Sequence, residues 1–214
     1  MTTPQRAFLL TFLSFFLFAA NTSGQQNYWQ QEVNHVISVS LNDTDHTLTA
    51  QTQIEYINNS PDELTFIWFH LWPNAYKDRH TAMAKQMVRN GSSKFYFAKE
   101  SERGYIDGLD FKINGQAARL EAHPEFIDVT KLWLNEPLKP GQKITIPTPF
   151  TVKLPGDFSR LGHDGQSYQI TQWYPKPAVY DRKGWHEMPY LDQGEFYSEF
   201  GKFDVSITLP DNYV

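Results

Sequence analysis

The sequence predicts an all-β domain, with antiparallel sheets arranged as a sandwich and one short helix. Three observations carry this expectation. Apolar and polar residues alternate with a period of two through most of the chain beyond its leader-like start. Clusters of Asn, Asp, Pro and Gly interrupt that alternation at short intervals. A single segment is rich in helix formers.

The elements follow in order. Glu32 to Leu41 alternates Val33, His35, Ile37 and Val39 with polar partners, as a half-buried strand does. His46 to Asn58 repeats the scheme, placing Leu48, Ala50, Thr52, Ile54 and Tyr56 on one face. The intervening Asn42-Asp43-Thr44-Asp45 supplies turn chemistry, so the pair is expected to be a hairpin. Leu64 to Pro73 is an apolar, aromatic strand that the proline ends. Asp78 to Gly91 predicts the helix, with Asp78 as its cap and Gly91 as its stop. Strands are then expected over 105–115, 116–123, 125–134 and 142–154, with turns at Asn114-Gly115 and Pro140-Gly141. Pro155 to Ser167 reads as a polar, Gly-rich loop. Strand character returns over 167–175 and 201–210.

The first residues stand apart. Arg6 precedes an apolar run from Ala7 to Ala20, broken only by Thr11 and Ser14, and small polar residues follow. This is the form of a secretory signal peptide over 1–24, leaving 25–214 as the domain. The run is shorter than the roughly 20 residues of a membrane span, so membrane attachment could come only through this segment. Export to a periplasm or the cell exterior is the implied location. The chain has no cysteine, which excludes disulfides and thiolate metal ligands and suits a bacterial envelope. Its formal charge is −5, and loss of Arg6 with the leader makes it more acidic. Such a balance gives no footprint for nucleic acid or anionic lipid.

Trp185 to Tyr190, "WHEMPY", opens like the zinc-protease signature H-E-x-x-H. That signature needs two histidines four apart on a helix. Here Tyr190 occupies the second position, and Pro189 disfavours helix at Met188. His186 and Glu187 are therefore not read as a zinc pair. The histidines form no H-x-H or helical pair; His35 is read as a core or edge residue, and His163 lies in the polar loop. No G-x-S-x-G and no phosphate-cradling glycine loop occurs. Asp157, Asp164, Asp181, Asp192 and Glu195 cluster in the final third, where two close carboxylates would suit glycoside hydrolysis and solvated loop acids are the plainer reading. No catalytic, metal or cofactor residue is assigned within the chain. Aromatic residues such as Trp133 and Trp185, if exposed together, would instead suit a freestanding exported module that binds carbohydrate.

The stretch Tyr168 to Asp181, "YQITQWYPKPAVYD", carries the most information. A strand ends there and two prolines force an extended path, which puts Gln172 near a strand end. The order of segments, "NHVISVSLNDTDHTLTAQTQIEYINNSPDELTFIWFHLWPNAY", the "ING" turn, "ITQWYPKPAVYD" and the closing "FDVSITLPDNYV", resembles the amino-terminal β domain of the gluzincin zinc aminopeptidases. That is the family of membrane alanyl aminopeptidase and leukotriene hydrolase, and the likeness is to its exported bacterial members. It extends from about Trp29 to Val214. The resemblance implies a saddle of antiparallel sheets that supports a catalytic domain and walls one side of the substrate cleft. It also implies that a glutamine of the T-Q segment, here Gln172, lines the pocket for a peptide substrate's amino-terminal residue. A neutral amide suits that role, because its carbonyl accepts from an ammonium. The family's zinc motif is not in this chain, so zinc is expected in a carboxy-terminal catalytic domain of the same polypeptide and none here. This chain departs from the family in reading Trp-Tyr-Pro after the glutamine.

Overall fold

A computed structural model describes residues 28–213. The signal-peptide reading of 1–24 lies outside the described residues. Strands β1 (Glu32–Asn42) and β2 (Thr47–Ile57) form the expected hairpin, in register from Glu32 opposite Ile57 to Asn42 opposite Thr47. Asn42 closes the turn: its Oδ1 accepts from the amides of Thr44 (3.0 Å) and Asp45 (3.1 Å). The alternation decides the faces, since the four β1 residues and five β2 residues named above are all buried.

Strand β3 (Leu64–His70) stops earlier than expected. Its continuation, Trp72–Tyr76, forms a 3-10 turn with Pro73 at its start, where a missing amide is harmless. Helix α1 (Ala82–Arg89) begins three residues later than Asp78 would place it. Thr81 is the cap, its Oγ1 accepting from Ala84 N at 3.2 Å, while Asp78 serves the preceding turn by accepting from His80 N at 2.6 Å. Gly91 ends the helix as expected, with φ of 88°. Its amide reaches Val88 O at 3.0 Å and the Ser92 amide reaches Met87 O at 2.9 Å, the paired bonds of a Schellman stop.

The middle of the chain breaks into shorter pieces than its pattern suggests: β4 (Tyr105–Asp107), β5 (Lys112–Ile113), β6 (Gln116–Ala117) and β7 (Leu120–Ala122). Two long strands follow, β8 (Val129–Leu138) and β9 (Lys143–Lys153). The expected loop 155–167 contains one strand and leads into its partner: β10 (Leu161–Asp164) pairs with β11 (Ser167–Ile170) across Gly165 and Gln166. Three short or late strands complete the chain in order, β12 (Lys176–Pro177), β13 (Tyr180–Asp181) and β14 (Gly184–Trp185), before β15 (Phe203–Thr208).

Two sheets dominate. One has the order β15-β1-β2-β9-β4 and the other β12-β3-β8-β7. Among the described residues the strand pairs are antiparallel, as expected, apart from β1–β15, which is parallel. The second sheet covers one end of the first. Val33, Ile54, Tyr56 and Ile146 meet Ile67, Phe69 and Leu132 there. The other end is covered by Trp72, Tyr76, Tyr190 and the Met83–Met87 face of α1. Each large side chain fully buried in this way contributes about 1.5–3 kcal/mol. Among the described residues no helix is long and apolar enough to cross a membrane.

Candidate functional site

Gln172 stands just beyond the end of β11, and its backbone is in the left-handed region at φ of 55°. For a residue with a Cβ that conformation costs about 1–2 kcal/mol, so neighbours must hold it. Thr171 Oγ1 donates to Arg160 O at 2.6 Å on one side. On the other, the Lys176 ammonium donates to Gln172 Oε1. The prolines at 175 and 177 keep the intervening chain extended, and β12 docks on β3 with Lys176 opposite His70.

That docking takes Lys176 into the interior, where 5% of it is exposed. No carboxylate of the described residues lies within 4.0 Å of it. In place of a counter-ion it has aromatic faces, with Nζ 4.8 Å from the Trp72 ring centre and 4.6 Å from that of Tyr174. Burial pushes its pKa down to about 7. Two buried imidazoles adjoin it. His70 is pushed down to about 3 and His35 to about 4, by burial first and then by the Lys176 charge. Both are neutral at pH 7. His70 Nε2 accepts from Met188 N at 3.2 Å, which puts its ring proton on Nδ1. His70 stacks on Trp72 at 4.3 Å, and His35 stacks on Phe203 at 4.8 Å.

The cluster therefore holds an amine in a buried aromatic box with one carbonyl of the described residues as acceptor. An amine of this kind can lose its proton near neutrality, and Gln172 would then lose a charged donor. The carbonyl expected to receive a substrate ammonium is already occupied by an ammonium of the chain itself.

Of the "WHEMPY" stretch only Trp185 lies in a strand, and residues 186–190 form no helix that could present two zinc ligands on one face. His186 Nε2 lies 2.9 Å from Asp181 Oδ1, with its N–H direction missing that oxygen. The rest of the stretch is fastened to the core. Trp72 Nε1 donates to Met188 O at 3.1 Å, and Tyr190 N donates to Asp128 Oδ2 at 2.6 Å. No group of three or more His, Asp or Glu side chains suited to a metal occurs among the described residues.

The other sequence candidates scatter. His35 is in the core, with Nδ1 unpaired. His163 lies on β10 and stacks on His46 at 3.6 Å. Asp157 forms an exposed pair with Lys94 at 2.8 Å. Asp164 ends β10, and Asp192 and Glu195 lie on the segment between β14 and β15. Trp133 and Trp185 flank Phe66 at 5.5 and 5.9 Å, both half-buried, and Arg119 covers Trp133 at 4.5 Å. They make no open platform.

Sequence reasoning missed two features. One is Lys176, whose Pro-Lys-Pro setting predicts an extended path but gives no sign of burial. The other is the inner face of β15. Phe203, Val205 and Ile207 lie opposite the buried His35, Ile37 and Val39, yet are 51%, 40% and 64% exposed. The apolar face of the five-stranded sheet thus runs out past its cover, and Leu209 extends the row at 45%. The period-two apolar pattern of 203–209 was the signal available for it.

By sequence the chain matches no protein-family profile and no curated protein. By fold its neighbours are M1 zinc metallopeptidases at low identity. A two-domain M1 zinc metallopeptidase variant bound to L-tryptophan matches 85% of this chain at 13% identity, with a TM-score of 0.43. A variant of the Deinococcus radiodurans M1 zinc metallopeptidase bound to a Tyr-Ser-Ala substrate matches 85% at 12% identity and 0.44. The M1 zinc metallopeptidase from the same organism matches 87% at 14% identity and 0.41. This chain spans about a third of the length of each, 33%.

Proposed function

We propose that this chain is the non-catalytic β domain of an exported zinc aminopeptidase, where it supports a catalytic domain and walls one side of the peptide cleft. The observation that carries the reading is the uncovered apolar row on β15. Phe203, Val205, Ile207 and Leu209 belong to the inner face of a sheet whose other inner residues are buried. Contiguous exposed apolar surface of this kind marks an interface. The order of the sequence segments names the occupant as the zinc-bearing domain. Gln172 faces the substrate's amino-terminal pocket and would have to exchange the Lys176 donor for the substrate ammonium to bind it, and zinc is held outside this chain.

The test is hydrogen exchange on the product of the same reading frame continued past Val214. The β15 amides become protected there relative to the 214-residue chain. Equal exchange in both would sink the interface, and a reading frame with no downstream H-E-x-x-H would sink the peptidase.

A second reading, a saccharide-binding module, rests on a different place. A cavity of about 480 Å³ is lined by Tyr28, Trp29, Tyr180 and Tyr197 together with Asp181 and Glu199. Glu199 accepts from Tyr180 N at 3.2 Å, and burial pushes its pKa up to about 7. Aromatic walls beside carboxylates suit a sugar ring and its hydroxyls. Binding of cellobiose or chitobiose to the 214-residue chain, lost in Trp29→Ala, would favour this reading over the first.

A further inference from the structure

The chain is acidic overall, at −5, but one groove has the opposite character. It encloses about 590 Å³ along the outer face of α1. Lys85 and Arg89 line it from successive turns of the helix, and Arg79 joins them from the segment before it. No carboxylate of the described residues lies within 4.0 Å of these three cations. Glu125 is the one acidic residue in the lining, and His80 adds an imidazole ring. The Arg79 guanidinium lies 5.5 Å from the Tyr96 ring centre, which sets it against that wall. Ala82 also lines the groove at the first position of the helix, where backbone amides and the helix dipole add positive potential.

The remaining lining is apolar: Val88, Tyr96, Phe126 and Leu191. Val88 is 47% exposed and Tyr96 37%. A bare inorganic anion would leave these surfaces wet. A purely apolar molecule would leave three cations without counter-charge. The volume falls within the range of about 300–1,000 Å³ that small-molecule sites occupy.

We infer that this groove is a binding site for an amphipathic anion, a carboxylate or phosphate carried on an apolar body. The anionic group sits among Arg79, Lys85 and Arg89, where charge-assisted hydrogen bonds are strong and Arg offers a planar fork. The apolar body lies on Val88, Tyr96 and Phe126. None of these residues adjoins Gln172 or β15, so the inference stands apart from the peptidase reading.

The test is calorimetric titration of the polypeptide with octyl phosphate, beside inorganic phosphate and octanol. Octyl phosphate is expected to bind at least about tenfold more tightly than either control. Lys85→Gln and Arg89→Gln are each expected to weaken it by about tenfold, the scale of one hydrogen bond to a charged group. Salt at about 0.5 M is expected to weaken it as well, because these charges are open to solvent. All these side chains are exposed, so the variants keep the fold. A vesicle arm distinguishes the source of the anion: retention on phosphatidylglycerol vesicles, lost in both variants, assigns a lipid headgroup, and octyl phosphate binding without retention assigns a free anion. Octyl phosphate binding no tighter than inorganic phosphate or octanol, or variants that bind as the parent does, overturns the site.

Discussion

The Lys176 ammonium donates to the side-chain carbonyl of Gln172, its one hydrogen-bond acceptor among the described residues. The two residues depend on each other. Lys176 holds Gln172 in a left-handed conformation, and Gln172 gives a buried cation its acceptor.

Gln172→Ala is therefore expected to destabilise the chain by about 1–3 kcal/mol at pH 6, because a buried charged donor is left unpaired. The loss shrinks at pH 9, where the amine, with its pKa near 7, is neutral. Urea unfolding at the two pH values checks this. An equal loss at both would contradict the pairing.

Lys176→Met is expected to change the pH dependence itself. The folded pKa of about 7 lies below the ordinary 10.5, so between those values the unfolded chain binds more protons than the folded one. Stability contributed by this group is then full at high pH, falls as pH drops from about 10 to about 7, and is constant below. At about 1.4 kcal/mol per unit the span amounts to a few kcal/mol. The methionine variant lacks that slope and is the more stable protein at pH 6. Parallel stability curves for the two proteins between pH 7 and pH 9.5 would contradict the burial of the amine.

Gly201→Ala is expected to detach β15. A Cβ at Gly201 would lie 1.8 Å from Val33 O, a backbone atom that cannot step aside. The bonds from Val33 N to Phe200 O (3.1 Å) and from His35 N to Lys202 O (2.8 Å) flank that contact. Amide exchange across residues 203–208 should accelerate while β2 and β9 stay protected. Unchanged exchange on β15 would show that the parallel pair does not need the glycine.

Ile207→Lys should leave the stability of the 214-residue chain within about 0.5 kcal/mol, since Ile207 is an exposed residue. Its effect belongs to the assembled protein, where it places a charge inside the proposed interface. Reduced yield of folded, active longer product, with an unchanged melting point for the short chain, is the expected pattern. A large loss of stability in the short chain would mean that the row is already covered.

Much of the scaffold was legible in the residues. The β1–β2 hairpin followed from strict alternation and from Asn42 in the turn, and the helix stop followed from Gly91. Where several groups compete for one role the sequence was a poorer guide. Asp78 and Thr81 are both good caps, and packing of Met83 and Met87 chose the later start. Pairing between residues distant in the chain was not legible: β15 returns parallel to β1 only because Gly201 admits the Val33 carbonyl. The site was half legible. Gln172 at a strand end was visible, but its φ of 55° and the burial of Lys176 arise from β12 docking on β3, which no local pattern announces. His186 was set aside on the strength of Tyr190 and Pro189, and the structure places it 2.9 Å from Asp181 Oδ1, whereas the anchoring roles of Met188 and Tyr190 required the fold.

The central claim is that these strands wall a reaction centre whose metal lies elsewhere. Turnover of an aminoacyl anilide by the 214-residue chain in the presence of zinc, beside the longer product of the same reading frame, tests it most directly. The account predicts activity and one bound zinc per chain for the longer product, and neither for the short one. Hydrolysis by the short chain, with zinc that His186→Ala removes, would contradict it.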